Sequence, residues 1–415
     1  MHGIPGYPRT RMRPWGSSQR SVDRLCAPST AKPETSVSVD KVTDADIPTV
    51  RVLDADGRFA PNPAAEEYLP LIEALPDGDL EQFYRDMVAI RAIDTQATNL
   101  QRQGQLALWP PSRGQEAAQV GSARAARPQD TLFPSYREHA VTRIRGVDPV
   151  DIIKLMRGTS NGGWDPTDPR NGNTRIYTLV LGSQTLHATG LAMGLVFDGK
   201  CGTGDVDRDQ AVMVYYGDGA SSQGDVHEAM VFAASYQTPE VFFLQNNHWA
   251  ISVPVKTQSR VPLVQRGTGY GIESIRVDGN DVLASWAVTR RALDEARTGD
   301  GPRAIEAVTY RMGAHTTSDD PTKYRGSDEE QEWSLRDPIA RMRAFLENRG
   351  AAGSVFADAE AEAADAAEDL RVRTLELVSP TAEAIFDNVY SDPHPLMAEQ
   401  KAWQAQYEAS FGAGA

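Results

Sequence analysis

The chain has 415 residues, with 42 Lys+Arg against 57 Asp+Glu, a net charge of −15 at pH 7 and two cysteines. That balance argues against nucleic acid as a partner, and no apolar run approaches the roughly 18 residues of a membrane span. Cys26 and Cys201 lack CxxC spacing and are too few for a disulfide framework, which fits a reducing compartment and a bacterial-type cytoplasmic location.

Residues 1–45 differ from the rest. Arg9, Arg11, Arg13, Arg20, Arg24 and Lys32 stand against Asp23 over positions 1–33. Low hydrophobicity without periodicity predicts a disordered N-terminal extension. An Arg-rich start also fits a transit peptide to the mitochondrial matrix, but Pro5, Pro8 and Pro14 interrupt the amphipathic helix such a peptide forms. From 46 to 350 the chain reads as one α/β domain. Helical spacing predicts an entry helix over 80–103, and the small residues of a second helix at 113–126 permit close packing. Strand-like segments recur at 211–216, 241–244, 274–279 and 304–312. Their alternation with helical patterns predicts a mostly parallel sheet covered by helices on both faces. The glycine-rich stretches 199–204 and 267–271 lack GxGxxG spacing and read as loops. Residues 351–415 read as a C-terminal helical segment and tail that faces a partner. Within it, 356–378 is expected to be a solvated surface helix, and a short helix plus an extended tail follows Pro380.

Ligands of a parallel sheet bind at the carboxyl ends of its strands, and the most informative residues fall there. AVMVYY (211–216) breaks at Gly217-Asp218-Gly219, and VFFL (241–244) leads to Asn246-Asn247. A Gly-Asp-Gly turn alone is common. Here it joins a buried-type strand to a helix, and the next strand ends on two asparagines. That layout sets a carboxylate and a carboxamide oxygen at neighbouring strand ends, beside a helix start. Hard oxygen ligands suit magnesium and glycine amides suit phosphate, so the arrangement describes a site for a magnesium-bound diphosphate. The pair of motifs resembles the thiamine diphosphate signature.

Over residues 80–400 the chain resembles the alpha subunit of the decarboxylating first component of 2-oxo acid dehydrogenase complexes. Six segments carry the resemblance in order: RGQEAAQVGS (113–122), LFPSYREH (132–139), GDGASSQGD (217–225), QNNHWAISVP (245–254), RVDGND (276–281) and GAHTTSDDPTKYR (313–325). It implies a thiamine-diphosphate-binding fold with thiamine diphosphate and magnesium as cofactors. The implied reaction is oxidative decarboxylation of a branched-chain 2-oxo acid, then reductive acylation of a lipoyl group on the acyltransferase core. Pyruvate is the alternative substrate and acetoin a less favoured one. The implied partners are a beta subunit, in a heterotetramer of two alpha and two beta chains, and a lipoyl domain.

By the same resemblance Asp218 and Asn247 are metal ligands through their side chains, and Trp249 through its carbonyl. Gly219 and Ala220 lie against the diphosphate, where small residues let the backbone approach. Tyr136 and Arg137 bind the diphosphate, for which an arginine fork is suited. His315 is the candidate catalytic side chain and also a cofactor contact. Ser183 and the Thr185 backbone are expected to touch the cofactor from the loop Ser183–Ala188. That loop departs from the family's potassium site, because Gln184, His187 and Ala188 replace its Pro, Thr and Gln. Gln245 stands where some members carry an arginine, making one cofactor contact neutral. Ala314 replaces a histidine and Thr316 a regulatory serine. A self-sufficient thiamine enzyme of the transketolase kind would need a second α/β domain, roughly 150 residues more.

Overall fold

The computed structural model describes residues 42–160 and 162–411. The expected extension over 1–45 lies, as far as residue 41, outside them. Among the described residues eight strands form: β1 (Thr49–Val50), β2 (Thr131–Phe133), β3 (Val212–Gly217), β4 (Glu240–Asn246), β5 (Trp249–Ala250), β6 (Val253–Pro254), β7 (Glu273–Asp278) and β8 (Arg303–Val308). Six of them make one parallel sheet in the order β1-β7-β8-β4-β3-β2, while β5 and β6 pair as a separate antiparallel hairpin.

The sheet is buried on both faces, which is why its strands read as continuous apolar runs. Successive side chains of β3 divide between two core layers. Met213 and Tyr215 pack with residues of the helices Asp77–Arg102, Glu116–Ala125 and Val282–Arg297. Val212, Val214 and Tyr216 pack instead with residues of the helices Ser183–Phe197 and Gly224–Tyr236. The doubly covered parallel sheet expected from the alternating pattern is therefore the fold that forms.

Close packing sets the depth of the first layer. A Cβ on Gly121 would sit 2.8 Å from the Val282 carbonyl oxygen and 2.9 Å from Ser285 Cβ. The helix Glu116–Ala125 thus lies directly on the backbone of Val282–Arg297, as its small residues suggested.

Four local expectations are corrected. Residues 183–188 are not a loop: Gly182, at φ +89°, turns the chain into the helix Ser183–Phe197, which they open. The stretch 267–271 is partly helical, within Gln265–Gly269. The expected surface helix is Gly353–Leu375, and it buries Val355, Phe356, Ala359, Ala363 and Leu370. Phe356 meets Tyr84 of the entry helix edge-on at 5.3 Å. The buried residues of this helix form a thin apolar stripe that acidic neighbours mask in sequence. Beyond Leu375 no described residue is buried, and the expected extended tail is instead a helix, Pro395–Ala409.

Candidate active site

The register of β3 on β4 pairs Gly217 with Gln245, so Asp218 and Asn247 emerge at neighbouring strand ends. Both side chains are buried, Asp218 at 2 % exposure. Gln258 Nε2 donates to Asp218 Oδ2 at 2.9 Å. Burial pushes the Asp218 carboxyl up, while that hydrogen bond, the Arg311 charge and the Asn247 N–H oppose the rise. A buried carboxylate with so little counter-charge is a place for a cation. Asn247 donates from Nδ2 to Gln115 Oε1 at 3.2 Å, and its Oδ1 accepts the Trp249 N–H at 3.2 Å, leaving one lone pair. The Trp249 carbonyl accepts from Arg311 Nη1 at 3.0 Å and likewise keeps a second lone pair.

The backbone between these groups is held in unusual conformations. His248 and Ile251 have φ of +70° and +55°, which is strained for side chains of their size. Gly219 explains itself by contact: a Cβ there would lie 2.7 Å from Ala250 Cβ, so only glycine lets the turn pack under this segment. Ala220, almost fully buried, opens a short 3₁₀ turn that leads to the helix Gly224–Tyr236.

Arg137 and Arg311, both buried, converge on His315. Arg137 Nη2 lies 3.2 Å from His315 Nδ1 and 2.8 Å from the His315 carbonyl, while Arg311 Nη1 lies 3.4 Å from Nδ1. Guanidinium groups only donate, so Nδ1 must accept and Nε2 carries the proton. Burial first, then the Arg137 and Arg311 charges, push the imidazole down to about 3. His315 is thus a neutral Nε2–H donor. Tyr136 meets its ring edge-on at 6.1 Å and lies under the Arg137 guanidinium at 5.2 Å. Asp319 ties the loop together, accepting the His315 N–H at 2.8 Å and the Tyr324 hydroxyl at 2.5 Å. His139 has a supporting role. It stacks on Trp109 at 4.2 Å and donates from Nε2 to Pro110, next to the Pro111 carbonyl that receives Arg137 Nη1.

Ser183 and Thr185 turn their hydroxyls back onto their own chain, to the Val180 and Gly182 carbonyls, and no bond ties either to the strand-end group. The turn they open is nonetheless near, because a Cβ on Gly182 would lie 3.1 Å from Gln223 Cβ, just before the helix Gly224–Tyr236. Gln184 between them donates to the Tyr215 carbonyl of β3 at 2.8 Å. Gln245 donates to Glu138 Oε1 at 2.5 Å.

Four buried polar atoms at these strand ends have no hydrogen-bond partner: Gln115 Nε2, Glu138 Oε2, Gln184 Oε1 and Gln245 Oε1. Each such atom costs about 1–3 kcal/mol, so a cluster of them suits a polar ligand rather than a finished core. Two buried guanidiniums suit an anion. One carboxylate, one carboxamide and one carbonyl suit a hard cation, and among the described residues no group of three or more His, Cys, Asp or Glu could hold a metal. The residues present fit a diphosphate with its divalent cation. Sequence reasoning missed Gln115, Glu138, Gln258, Arg311 and Asp319. All but Gln258 and Arg311 lie inside the six quoted segments, yet only the fold gives them partners.

A parallel sheet that gathers a carboxylate, a carboxamide and guanidiniums at adjacent strand ends is the framework of an α/β enzyme for an anionic ligand. A family model described as "Dehydrogenase E1 component" matches residues 84–369. The chain belongs to this thiamine-diphosphate-dependent family, as an alpha subunit of the 2-oxo acid dehydrogenase type. It is 44% identical over 335 residues to the 3-methyl-2-oxobutanoate dehydrogenase subunit alpha of Mycobacterium tuberculosis, covering 80% of this chain and 88% of the relative. It is 38% identical over 339 residues to the pyruvate dehydrogenase E1 component subunit alpha of Acholeplasma laidlawii (80% and 94% covered). The Staphylococcus aureus protein of the latter name is 36% identical over 357 residues (85% and 91% covered). As an alpha subunit the chain works with partner subunits.

Proposed function

We propose that this chain carries out the oxidative decarboxylation of a branched-chain 2-oxo acid, using thiamine diphosphate and magnesium, and delivers the acyl group to a lipoyl group on an acyltransferase core. Its working form is a heterotetramer with two beta subunits. The observation that carries the reading is the gathering of buried Asp218, Asn247 and Arg137 with half-buried His315 at the ends of β2, β3 and β4 and the loop after β8, where Arg311 reaches both the Trp249 carbonyl and His315. Bound thiamine diphosphate supplies the electron sink that decarboxylation needs. Asp218 Oδ, Asn247 Oδ1 and the Trp249 carbonyl would hold the magnesium. Arg137 has N–H groups beyond those bonded to Pro111 and His315, and these would face the diphosphate. His315 would present Nε2–H to the acyl-transfer step as a neutral donor.

Branched-chain substrate is preferred over pyruvate on two grounds: the TSDDPTKYR segment and the 44% identical relative named for 3-methyl-2-oxobutanoate. Turnover of 3-methyl-2-oxobutanoate and pyruvate by the assembled alpha and beta chains tests this, with higher kcat/KM expected for the branched acid. The reverse order would assign pyruvate. Asp218→Ala should abolish magnesium-dependent cofactor binding in titration calorimetry, and unchanged affinity would reject the metal assignment.

A further inference from the structure

Glu138 and Gln245 are the buried pair in the site that the proposed chemistry leaves without a role. Glu138 follows β2 and is 3 % exposed; Gln245 lies at the end of β4, 2 % exposed. Glu138 Oε1 and Gln245 Nε2 are 2.5 Å apart, while the second oxygen of the carboxyl and the oxygen of the amide have no partner. The surroundings supply little counter-charge. Against the larger effect of burial, the Ser135 N–H, the charge of Arg137 next in the chain, and the N–H groups of Arg137 and Glu138 itself lower the carboxyl. From the other elements, Tyr177 and Tyr215 are un-ionised phenols, both pushed up by burial and by the Glu138 charge. His139 is held neutral, near 3.

A carboxamide can present either end to a carboxyl group. With Glu138 ionised, Gln245 must donate Nε2 to it and is left with an acceptor in a site built for an anion. With Glu138 protonated, its O–H donates to Gln245 Oε1, and Nε2 is released as a donor. A 2.5 Å separation lies within the range of O–H···O bonds and is short for N–H···O.

We propose that Glu138 is a proton-linked positioning residue: it takes up a proton when the cofactor's diphosphate binds, and so turns the Gln245 amide to donate Nε2 to that diphosphate. This rests on the function proposed above. Burial already holds the carboxyl at about 7, and an arriving anion raises it further by like-charge repulsion. Protonation is the only covalent change: a solvent proton joins the carboxylate, and the rest is rotation of an amide.

The test is calorimetric titration of thiamine diphosphate, with magnesium, into the chain assembled with its beta subunit. It is run from pH 6.5 to 8.5 in buffers of different ionisation enthalpy. Titration of the diphosphate itself is common to all variants and cancels in differences. Near pH 8 the native protein should take up close to one more proton per site than Glu138→Gln, whose amide mimics the protonated acid. Native affinity should fall by up to about tenfold per pH unit relative to that variant. Gln245→Leu is the second variant. It should abolish the extra uptake, because Glu138 beside leucine stays protonated, and should bind more weakly than Glu138→Gln at every pH. Equal proton uptake in native and variant proteins would overturn the role of Glu138 while leaving the cofactor assignment intact. No binding by the native assembly would instead overturn the assignment itself.

Discussion

Arg137 and His315 show how the site is balanced residue by residue. Arg137 shares its fork between the Pro111 carbonyl and His315, so its plane is fixed before any ligand arrives. Lysine keeps the charge and loses the fork. Arg137→Lys should therefore weaken thiamine diphosphate binding about 10–100-fold, the worth of a charge-assisted bond of roughly 1.5–3 kcal/mol; calorimetry that shows no loss would remove Arg137 from the diphosphate contact. The same charges cost stability. His315 is depressed to about 3 from 6.5, so its neutral burial is without penalty above pH 6.5 and costs stability as pH falls from there toward 3. Glu138 is raised to about 7 from 4.5, so its cost grows as pH climbs from 4.5 to 7 and then levels. Asp218, Asn247, Arg137 and His315 were legible in sequence because they sit in motifs. Glu138, Arg311 and Gln258 were not, because each matters through a partner distant in the chain that only folding supplies.

At the scale of elements, the four main strands and the entry helix were readable because each is buried on a consistent face or on both. The opening of the helix Ser183–Phe197 was not, since its polar first turn resembles a loop and the deciding residue is Gly182 in a left-handed conformation. Gly353–Leu375 forms as a surface helix, but its buried stripe of Val355, Phe356, Ala359, Ala363 and Leu370 was hidden because it is narrow and set among acidic residues. The packing of Glu116–Ala125 against Val282–Arg297 was anticipated from small residues, and Gly121 makes it testable. Gly121→Val would drive a branched side chain into the Val282 carbonyl and the Trp286 amide. Overpacking of this kind should cost about 1–3 kcal/mol in denaturant unfolding. A change below 0.5 kcal/mol would mean the two helices part without strain. Because Gln115 immediately precedes this helix, the variant also tests how firmly the layer supports Asn247.

For the whole molecule, one large sheet provides one set of strand ends, and this chain fills them with groups for an anion and a cation. Other exposed surface has the character of an interface. Ile176, Leu179, Val180 and Leu181 precede the site's helix, and Leu396, Trp403, Tyr407 and Phe411 project from the C-terminal helix region, all exposed. Such apolar exposure suits a chain that functions with partners. On the proposed function, this chain holds the cofactor's diphosphate end and completes a working site only with a beta subunit. Decarboxylation of 3-methyl-2-oxobutanoate, measured on the purified chain and again after adding its beta subunit, with thiamine diphosphate and magnesium in both, tests that claim most directly. No detectable turnover by the chain alone and full activity on mixing are expected; sustained turnover by the chain alone would overturn the proposal.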